Sequence, residues 1–343
     1  MRIIDVSKIH KILVYSPNWL GDALLALPVL ANLKKNFPEA MITVVGKPSI
    51  LPVYFHHPHV DEVIEIHSKN IMEILRISRV LRNKRYDLAV VLPNSFRSGW
   101  TVFLALIPNR IGYAQNLRSL LLTHPVRRPR EFLRMHQSNA YLKLLESLGV
   151  MAPDEESGRI HLTTEEKEEA VRLTPGQNIW VGIFPGASYG AAKRWFPERF
   201  AEAADHLAIH GARIILFGDT RDEIVCERVS QHMTQPHKNL AGKTSLRLAA
   251  ALIERCRLLI TNDSGAMHLA GSLGVKSIAL FGSTDPMRTG LRDPKSTFIW
   301  HQVPCSPCFK RTCPYGHYEC MKKITVDDVL KNARTILSCE STS

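Results

Sequence analysis

The chain has 343 residues, 45% of them hydrophobic and 22% charged. This balance is typical of globular proteins and excludes a disordered, collagen-like or coiled-coil chain. The length predicts two domains, because single cores seldom grow beyond about 250–300 residues. Seven cysteines, an odd number in so long a chain, favour free thiols or a metal site over a disulfide framework.

Two features of the first residues bear on location. The longest uncharged apolar stretch near the start, residues 23–33, is far shorter than the roughly 20 residues that cross a bilayer. The chain also meets charge at once, at Arg2 and Asp5, which does not resemble a secretory signal. We therefore expect a cytoplasmic protein without a transmembrane helix.

The formal net charge is +12, and residues 1–160 hold 21 Lys and Arg against 13 Asp and Glu. This excess predicts that the first half meets an anionic partner, although a basic surface without a specific target is the alternative. A nucleic acid is the less favoured partner. The chain has no recognisable DNA- or RNA-binding motif and no clear patch of basic residues interleaved with aromatic ones.

In the first half, apolar runs bounded by turn residues alternate with segments of helical periodicity. Strands are predicted at residues 12–15, 41–45, 63–66 and 87–92, and helices at 22–35 and 71–85. This alternation is typical of a doubly wound parallel sheet.

An acidic helix, residues 159–173, and a turn at 174–178 mark a boundary, after which the alternation restarts. Strands are predicted at 180–184, 213–217, 257–261 and 276–281, and helices at 197–210, 265–273 and 325–337. We predict two α/β domains, residues 1–160 and 161–324. Residues 325–343 form a C-terminal helix and tail that could pack back on the first domain.

Ligands of open parallel sheets bind beyond the carboxyl ends of the strands, and four loops in such positions carry candidate residues. The first follows the opening strand and contains Asn18, Trp19 and Asp22. The Asp22 carboxylate could act as a base, or it could merely cap the helix that begins there.

The second loop, residues 184–195, contains Gly186 and the cations Lys193 and Arg194. Small residues let backbone N–H groups approach phosphates, which the cations would neutralise. An ordinary connection with surface charge is the alternative. The chain has neither the P-loop nor the dinucleotide-binding glycine pattern, which weakens a kinase or dehydrogenase assignment.

The third loop, residues 261–268, and the fourth, residues 217–222, also join a strand to a helix. Gly265 leaves a helix N-terminus open to a diphosphate, whereas Asp263 suits sugar hydroxyls and His268 could equally be a packed histidine. Asp219 and Asp222 could hold a ribose or cap a helix.

A separate cluster contains Cys305, Cys308, Cys313, Cys320 and one histidine within 16 residues. The first pair has zinc-ligand spacing, but the later spacings of four and six residues are unusual. Reduced cysteines in a folded loop are therefore favoured over structural zinc.

Taken together, five segments make the chain resemble glycosyltransferase family 9. They occur in order along the sequence, at residues 18–22, 91–98, 185–195, 239–242 and 261–268. The resemblance implies a GT-B architecture of two Rossmann-like domains with the active site in the cleft between them. The first domain would hold the acceptor and the second the nucleotide sugar.

The resemblance also implies the reaction, an inverting transfer of L-glycero-D-manno-heptose from ADP-heptose in lipopolysaccharide core biosynthesis. The most similar family members add the second heptose, to the inner-core heptose of heptosyl-Kdo2-lipid A. The acceptor is an anionic lipid A and inner-core oligosaccharide, met by peripheral contact at the cytoplasmic face of the inner membrane. No metal or other cofactor is required. First- or third-heptose transfer and a sugar-nucleotide epimerase of the same fold are the alternatives.

Roles carry over to matching positions of this sequence. Asp22 matches the catalytic base and Lys193 the cation on the donor diphosphate. The remaining donor-binding positions are Gly186, Asp219, Asp222, Asp263, Ser264, Gly265 and His268. The implied acceptor-binding positions are Asn18, Trp19, Asn94, Ser95 and Arg97.

Overall fold

The computed structural model describes residues 4–149, 158–293 and 296–338. The chain divides into two compact units, Met1–His161 and Leu162–Ser343. Each unit is built on one six-stranded sheet whose strand pairings are all parallel. This confirms the predicted α/β class.

The first sheet has the strand order β3-β2-β1-β4-β5-β6. Its strands are β1 Lys11–Tyr15, β2 Met41–Gly46, β3 Glu62–Glu65, β4 Leu88–Val91, β5 Asn109–Tyr113 and β6 His124–Val126. Its helices are α1 Leu20–Leu25, α2 Leu27–Asn36, α3 Ile71–Lys84, α4 Phe96–Leu104 and α5 Gln137–Glu146. Short 3-10 helices lie at Val6–Lys8, Leu51–Tyr54 and Asn116–Leu121.

The predicted single helix over residues 22–35 is wrong, because α1 ends at Leu25 and α2 begins at Leu27, with Ala26 as the cap residue between them. Pro28 lies in the first turn of α2, the position where proline suits a helix start and cannot continue a preceding helix. The central strands β1 and β4 are buried apart from Lys11, as expected for a sheet covered on both faces.

The second sheet has the order β12-β11-β10-β7-β8-β9. Its strands are β7 Ile179–Phe184, β8 Ala212–Leu216, β9 His237–Asn239, β10 Cys256–Asn262, β11 Ser277–Phe281 and β12 Thr297–Trp300. Its helices are α6 Thr164–Leu173, α7 Pro197–Ile209, α8 Glu223–His232, α9 Leu246–Glu254, α10 Gly265–Ser272, α11 Pro286–Thr289, α12 Glu319–Lys322 and α13 Val326–Ser338. Two 3-10 helices lie at Ala191–Lys193 and Thr220–Asp222.

Helix α6 begins five residues later than predicted. The Thr163 side chain accepts from the backbone of Glu166, whose carboxylate accepts from the backbone of Thr163. Such a capping box fixes a helix start by satisfying two otherwise unpaired N–H groups.

The C-terminal helix α13 packs on the second unit. Its residues Val329, Leu330 and Ala333 belong to the same buried cluster as Trp195, and the helix contacts α7 and strands β10, β11 and β12. The expected docking of residues 325–343 on the first domain stays a prediction. The Trp195 indole also donates to the Ile324 carbonyl at 3.0 Å.

None of the helices in the described part of the chain combines the length and apolar composition needed to cross a bilayer.

Candidate functional site

A cavity of about 310 Å³ lies at the carboxyl edge of the first sheet. Its lining includes two of the predicted acceptor-binding residues, Asn18 and Arg97, together with Lys47, His67 and Lys69. Tyr15, at the end of β1, also lines it. Burial raises the pKa of Tyr15, and the neighbouring Arg97 guanidinium opposes that shift. Cationic side chains therefore surround a cavity of suitable size for part of an anionic sugar.

Asp22 is the third residue of α1 and does not cap it. The N-cap residue is Trp19, which makes no side-chain capping hydrogen bond. Asp22 is half-buried, and its negative charge acts on two buried tyrosines, Tyr54 and Tyr141. Burial raises the pKa of both hydroxyls, and the Asp22 charge raises it further.

The loop that carries Asn18 is anchored from beneath. The Tyr54 hydroxyl and the Ser16 hydroxyl are hydrogen-bonded at 2.8 Å, and Ser16 also donates to the Pro17 carbonyl at 3.0 Å. Both side chains are buried. This buried pair holds the segment between β1 and α1. Helix α1 itself begins two residues before Asp22.

The other predicted acceptor-binding residues differ in their surroundings. Ser95 caps α4 by accepting from the Ser98 backbone N–H at 3.2 Å, so its hydroxyl has a structural partner. Asn94 and Trp19 are exposed. The cap places Arg97 in the first turn of α4, from which it reaches the cavity.

In the second unit, Lys193 and Asp263 form an ion pair although 70 residues separate them. Their side chains are only 12% and 5% exposed. The Thr284 hydroxyl donates to the same carboxylate oxygen, and the Lys193 ammonium lies 4.8 Å from the Tyr189 ring centroid. The structure thus joins two predicted donor-binding residues into one polar centre.

Asn262 holds the two loops of this centre together. Its side-chain oxygen accepts from the Trp195 backbone N–H at 2.9 Å, and its side-chain nitrogen donates to the Pro185 carbonyl at 2.7 Å. A buried amide with both ends satisfied fixes relative position strongly. Asn262 is fully buried, so it is a scaffold residue for Lys193 and Asp263.

Ser264 caps α10 by accepting from Ala266 at 3.3 Å, and Gly265 is the first residue of that helix. His268, one turn further on, is buried at 6% exposure. Its donor-binding role stays a prediction.

Asp219 and Asp222 have opposite surroundings. Asp222 is buried, and burial raises its pKa, as does the charge of Asp219. It lies so close to Gly186 that a Cβ there would sit 2.2 Å from its carboxyl carbon. The Asp219 side chain is 43% exposed and forms an ion pair with Arg221. Partial burial acts to raise the pKa of Asp219, but hydrogen bonds from Arg221 outweigh that effect and lower the pKa below its usual value. Only Asp219 of the two is open to a ligand.

The cysteine cluster forms a separate feature. Cys305, Cys308, Cys313 and Cys320 line a small cavity of about 10 Å³ with Tyr315 and His317, and all four are free thiols. Among the described residues, no group of three or more His, Cys, Asp or Glu side chains is arranged to hold a metal ion.

Several residues of the cavity and of the Lys193–Asp263 centre were not predicted from the sequence. Lys47 follows β2, and His67 and Lys69 follow β3, so the carboxyl-edge rule applied to these strands would have found them. Thr284 follows β11 in the same way. Tyr189 lies inside a predicted loop, but no pattern indicated its ring contact with Lys193.

One family model and three known proteins are similar to this chain. A model of glycosyltransferase family 9 (heptosyltransferase) matches residues 74–319. Lipopolysaccharide heptosyltransferase 2 of Salmonella typhimurium is 31% identical over an alignment covering 96% of this chain and 99% of its own length.

Two solved structures are similar over nearly the whole chain. E. coli ADP-heptose lipopolysaccharide heptosyltransferase II is 29% identical with a TM-score of 0.85, covering 97% of this chain and 100% of that one. A family 9 glycosyltransferase from Veillonella parvula is 27% identical with a TM-score of 0.87, covering 98% of each chain. Because the family model spans more than half of the sequence and these structures share its two parallel sheets, the chain belongs to glycosyltransferase family 9.

Proposed function

We propose that this chain transfers L-glycero-D-manno-heptose from ADP-heptose, with inversion, to the inner-core heptose of heptosyl-Kdo2-lipid A. The observation that carries the proposal is the similarity along nearly the whole chain to an enzyme named lipopolysaccharide heptosyltransferase 2. Two local features support it, namely the cationic cavity of the first unit and the buried Lys193–Asp263 centre.

The first unit would bind the acceptor. The phosphorylated inner core is anionic, and the cavity presents Lys47, Lys69 and Arg97 to it. Asp22 would accept the proton of the attacking heptose hydroxyl. An oxocarbenium-like transition state needs that proton removed only late, so an ordinary carboxylate suffices as general base.

The second unit would bind the donor. As the bond between the heptose anomeric carbon and the diphosphate oxygen breaks, negative charge grows on ADP. Lys193 would stabilise this charge, and such electrostatic stabilisation is strongest where water is excluded. Asp263 holds the ammonium in place and is itself suited to a sugar hydroxyl. Asp219 would hold the ribose, since Asp222 is buried.

The reaction test uses purified chain, ADP-heptose and Kdo2-lipid A with and without one heptose attached, followed by mass spectrometry of the acceptor. We expect a mass gain of one heptose only on the heptosylated acceptor. Gain on the unheptosylated acceptor would assign first-heptose transfer. Conversion of the donor sugar without acceptor would assign an epimerase.

The substrate also suggests a location. We propose that the chain works at the cytoplasmic surface of the inner membrane by peripheral contact, because a lipid A acceptor is anchored there. A fractionation of cells expressing the chain, with a salt wash of the membranes, tests this proposal.

A further inference from the structure

The segment that carries the cysteine cluster is hydrogen-bonded to the loop that carries Lys193. The Tyr189 hydroxyl donates to the Phe309 carbonyl at 2.7 Å, a bond between residues 120 positions apart. The Ala192 backbone N–H donates to the Arg311 carbonyl at 2.9 Å. Tertiary contacts therefore fix the main chain of Phe309 and Arg311 against the Lys193 loop.

Gly190 permits the close approach of these two segments. A Cβ at that position would sit 2.3 Å from the Arg311 carbonyl oxygen, so any larger residue would force the backbones apart. On another side, the Phe309 N–H donates to the Ser283 carbonyl at 2.7 Å, in the loop that follows β11. The main chain around Arg311 is thus held by both loops that contribute to the Lys193–Asp263 centre.

The Arg311 side chain shares an aromatic ring with Lys193. Its guanidinium carbon lies 5.5 Å from the Tyr189 ring centroid, and the Lys193 ammonium lies 4.8 Å from the same centroid. Both distances are within the range of a cation–π contact. The sum of the two distances, about 10 Å, is the largest separation that these charged groups can have. Tyr189 therefore holds two cations within reach of one small anion.

Arg311 is exposed, and no carboxylate pairs with it among the residues that the structure describes. The cations of the neighbouring loops do have such partners, in the pairs Lys193–Asp263, Arg194–Asp222 and Arg221–Asp219. These pairs leave the loops themselves close to neutral. Arg311 therefore brings uncompensated positive charge to the Tyr189 ring.

A sugar nucleotide carries negative charge on both of its phosphates and gains more as the sugar departs. Lys193 alone compensates this charge poorly, because its ammonium already balances the Asp263 carboxylate. A guanidinium can donate two parallel hydrogen bonds to phosphate oxygens. Contact with an aromatic ring restricts the side chain before the ligand arrives, which reduces the entropy lost on binding.

From this arrangement we propose that Arg311 is a second donor-binding cation, which contacts the diphosphate of the sugar nucleotide together with Lys193. Tyr189 is the positioning residue of both cations. The identity of the donor rests on the proposed function, whereas the role of Arg311 rests on the shared ring and the unpaired charge.

Titration calorimetry of the full chain with ADP tests the role of Arg311. We expect Arg311→Met to bind ADP about tenfold to a hundredfold more weakly than the parent chain, the usual effect of losing hydrogen bonds to a charged group. Lys310→Met is the matched control, because it removes an exposed charge one residue away, and it should bind like the parent. Adenosine, which has no phosphate, should bind all three chains equally.

Two variants of Tyr189 test its positioning role. Tyr189→Leu removes the ring and should weaken ADP binding without changing adenosine binding. Tyr189→Phe keeps the ring and should bind ADP more tightly than Tyr189→Leu does. Equal affinities of these two variants for ADP would contradict a role for the ring.

Equal ADP affinity of Arg311→Met and Lys310→Met would overturn the inference. An unchanged ADP affinity of Arg311→Met with a raised KM for the acceptor would also overturn it, and would assign Arg311 to the acceptor. A matching loss of adenosine affinity would show general damage to the unit instead of a lost phosphate contact. Absence of ADP binding by the parent chain would refute the proposed donor as well, whereas a failure confined to Arg311→Met leaves the proposed function standing.

Discussion

Removing the charge of Lys193 should destabilise the second unit as well as weaken the donor complex. The ammonium is paired with a carboxylate that is 5% exposed, and deleting one partner of a buried pair typically costs about 3–5 kcal/mol. The Thr284 hydroxyl still donates to that carboxylate in the variant. We therefore expect Lys193→Met to lose about 3 kcal/mol, at the lower end of this range.

For a domain of this size, such a loss lowers the melting temperature by about 6–12 °C. Differential scanning calorimetry of the parent chain and the variant measures it. Lys243→Met is the control, because Lys243 is exposed and, among the residues that the structure describes, its hydrogen bond goes to a backbone carbonyl, that of Asn239. It should melt within about 2 °C of the parent.

The double variant Lys193→Met/Asp263→Asn separates stability from ligand binding. Neutralising the stranded carboxylate should restore most of the lost stability. It should not restore affinity for ADP, measured by titration calorimetry, because the cation on the diphosphate is still missing. A Lys193→Met melting temperature equal to the parental one would refute the buried-pair argument, and undiminished ADP affinity would refute the donor role.

Three further predictions concern other residues. Asp22→Ala should lower kcat by about 10²- to 10⁴-fold with unchanged ADP affinity, and near-parental turnover would remove it from the chemistry. Gly186→Ala should lower the free energy of unfolding in urea by about 1–3 kcal/mol, because the new Cβ would overlap the Asp222 carboxyl group. The control is Gly158→Ala, where the nearest contact of the added Cβ is 3.5 Å away. Equal unfolding midpoints for the two variants would count against the overlap. Burial, aided by His161 and His59, lowers the pKa of His57 from 6.5 to about 3. The unfolded chain therefore binds a proton at this histidine more readily than the folded chain does. As the pH falls from 7 to 5, this difference lowers the free energy of unfolding by about 2 kcal/mol. His57→Gln should flatten that pH dependence, and an equally steep decline in the variant would contradict it.

The alternation of strands and helices was readable from the sequence wherever the periodicity was strong. Predicted strands at residues 12–15 and 41–45 match β1 and β2 within one residue, because buried parallel strands are continuous apolar runs. Strand β6 has only three residues, His124–Val126, and begins at a histidine. It was missed because so short a segment carries no detectable period.

The loops that bear the candidate residues were also predictable, since chain direction alone places them at the carboxyl edge of a parallel sheet. Sequence could not distinguish Asp219 from Asp222. They lie three residues apart in one turn, yet one is exposed and the other is packed against Gly186. That difference arises from the neighbouring loop at residues 184–195, in which Gly186 lies against Asp222.

The sequence by itself determined the fold class, the positions of the four loops and the family resemblance. Tertiary structure alone decided that Lys193 pairs with Asp263, and that Lys47 and Lys69 join Arg97 around one cavity. The physical reason is that strand order, which depends on the packing of the whole sheet, brings the ends of distant segments together. Local periodicity carries no information about which ends become neighbours.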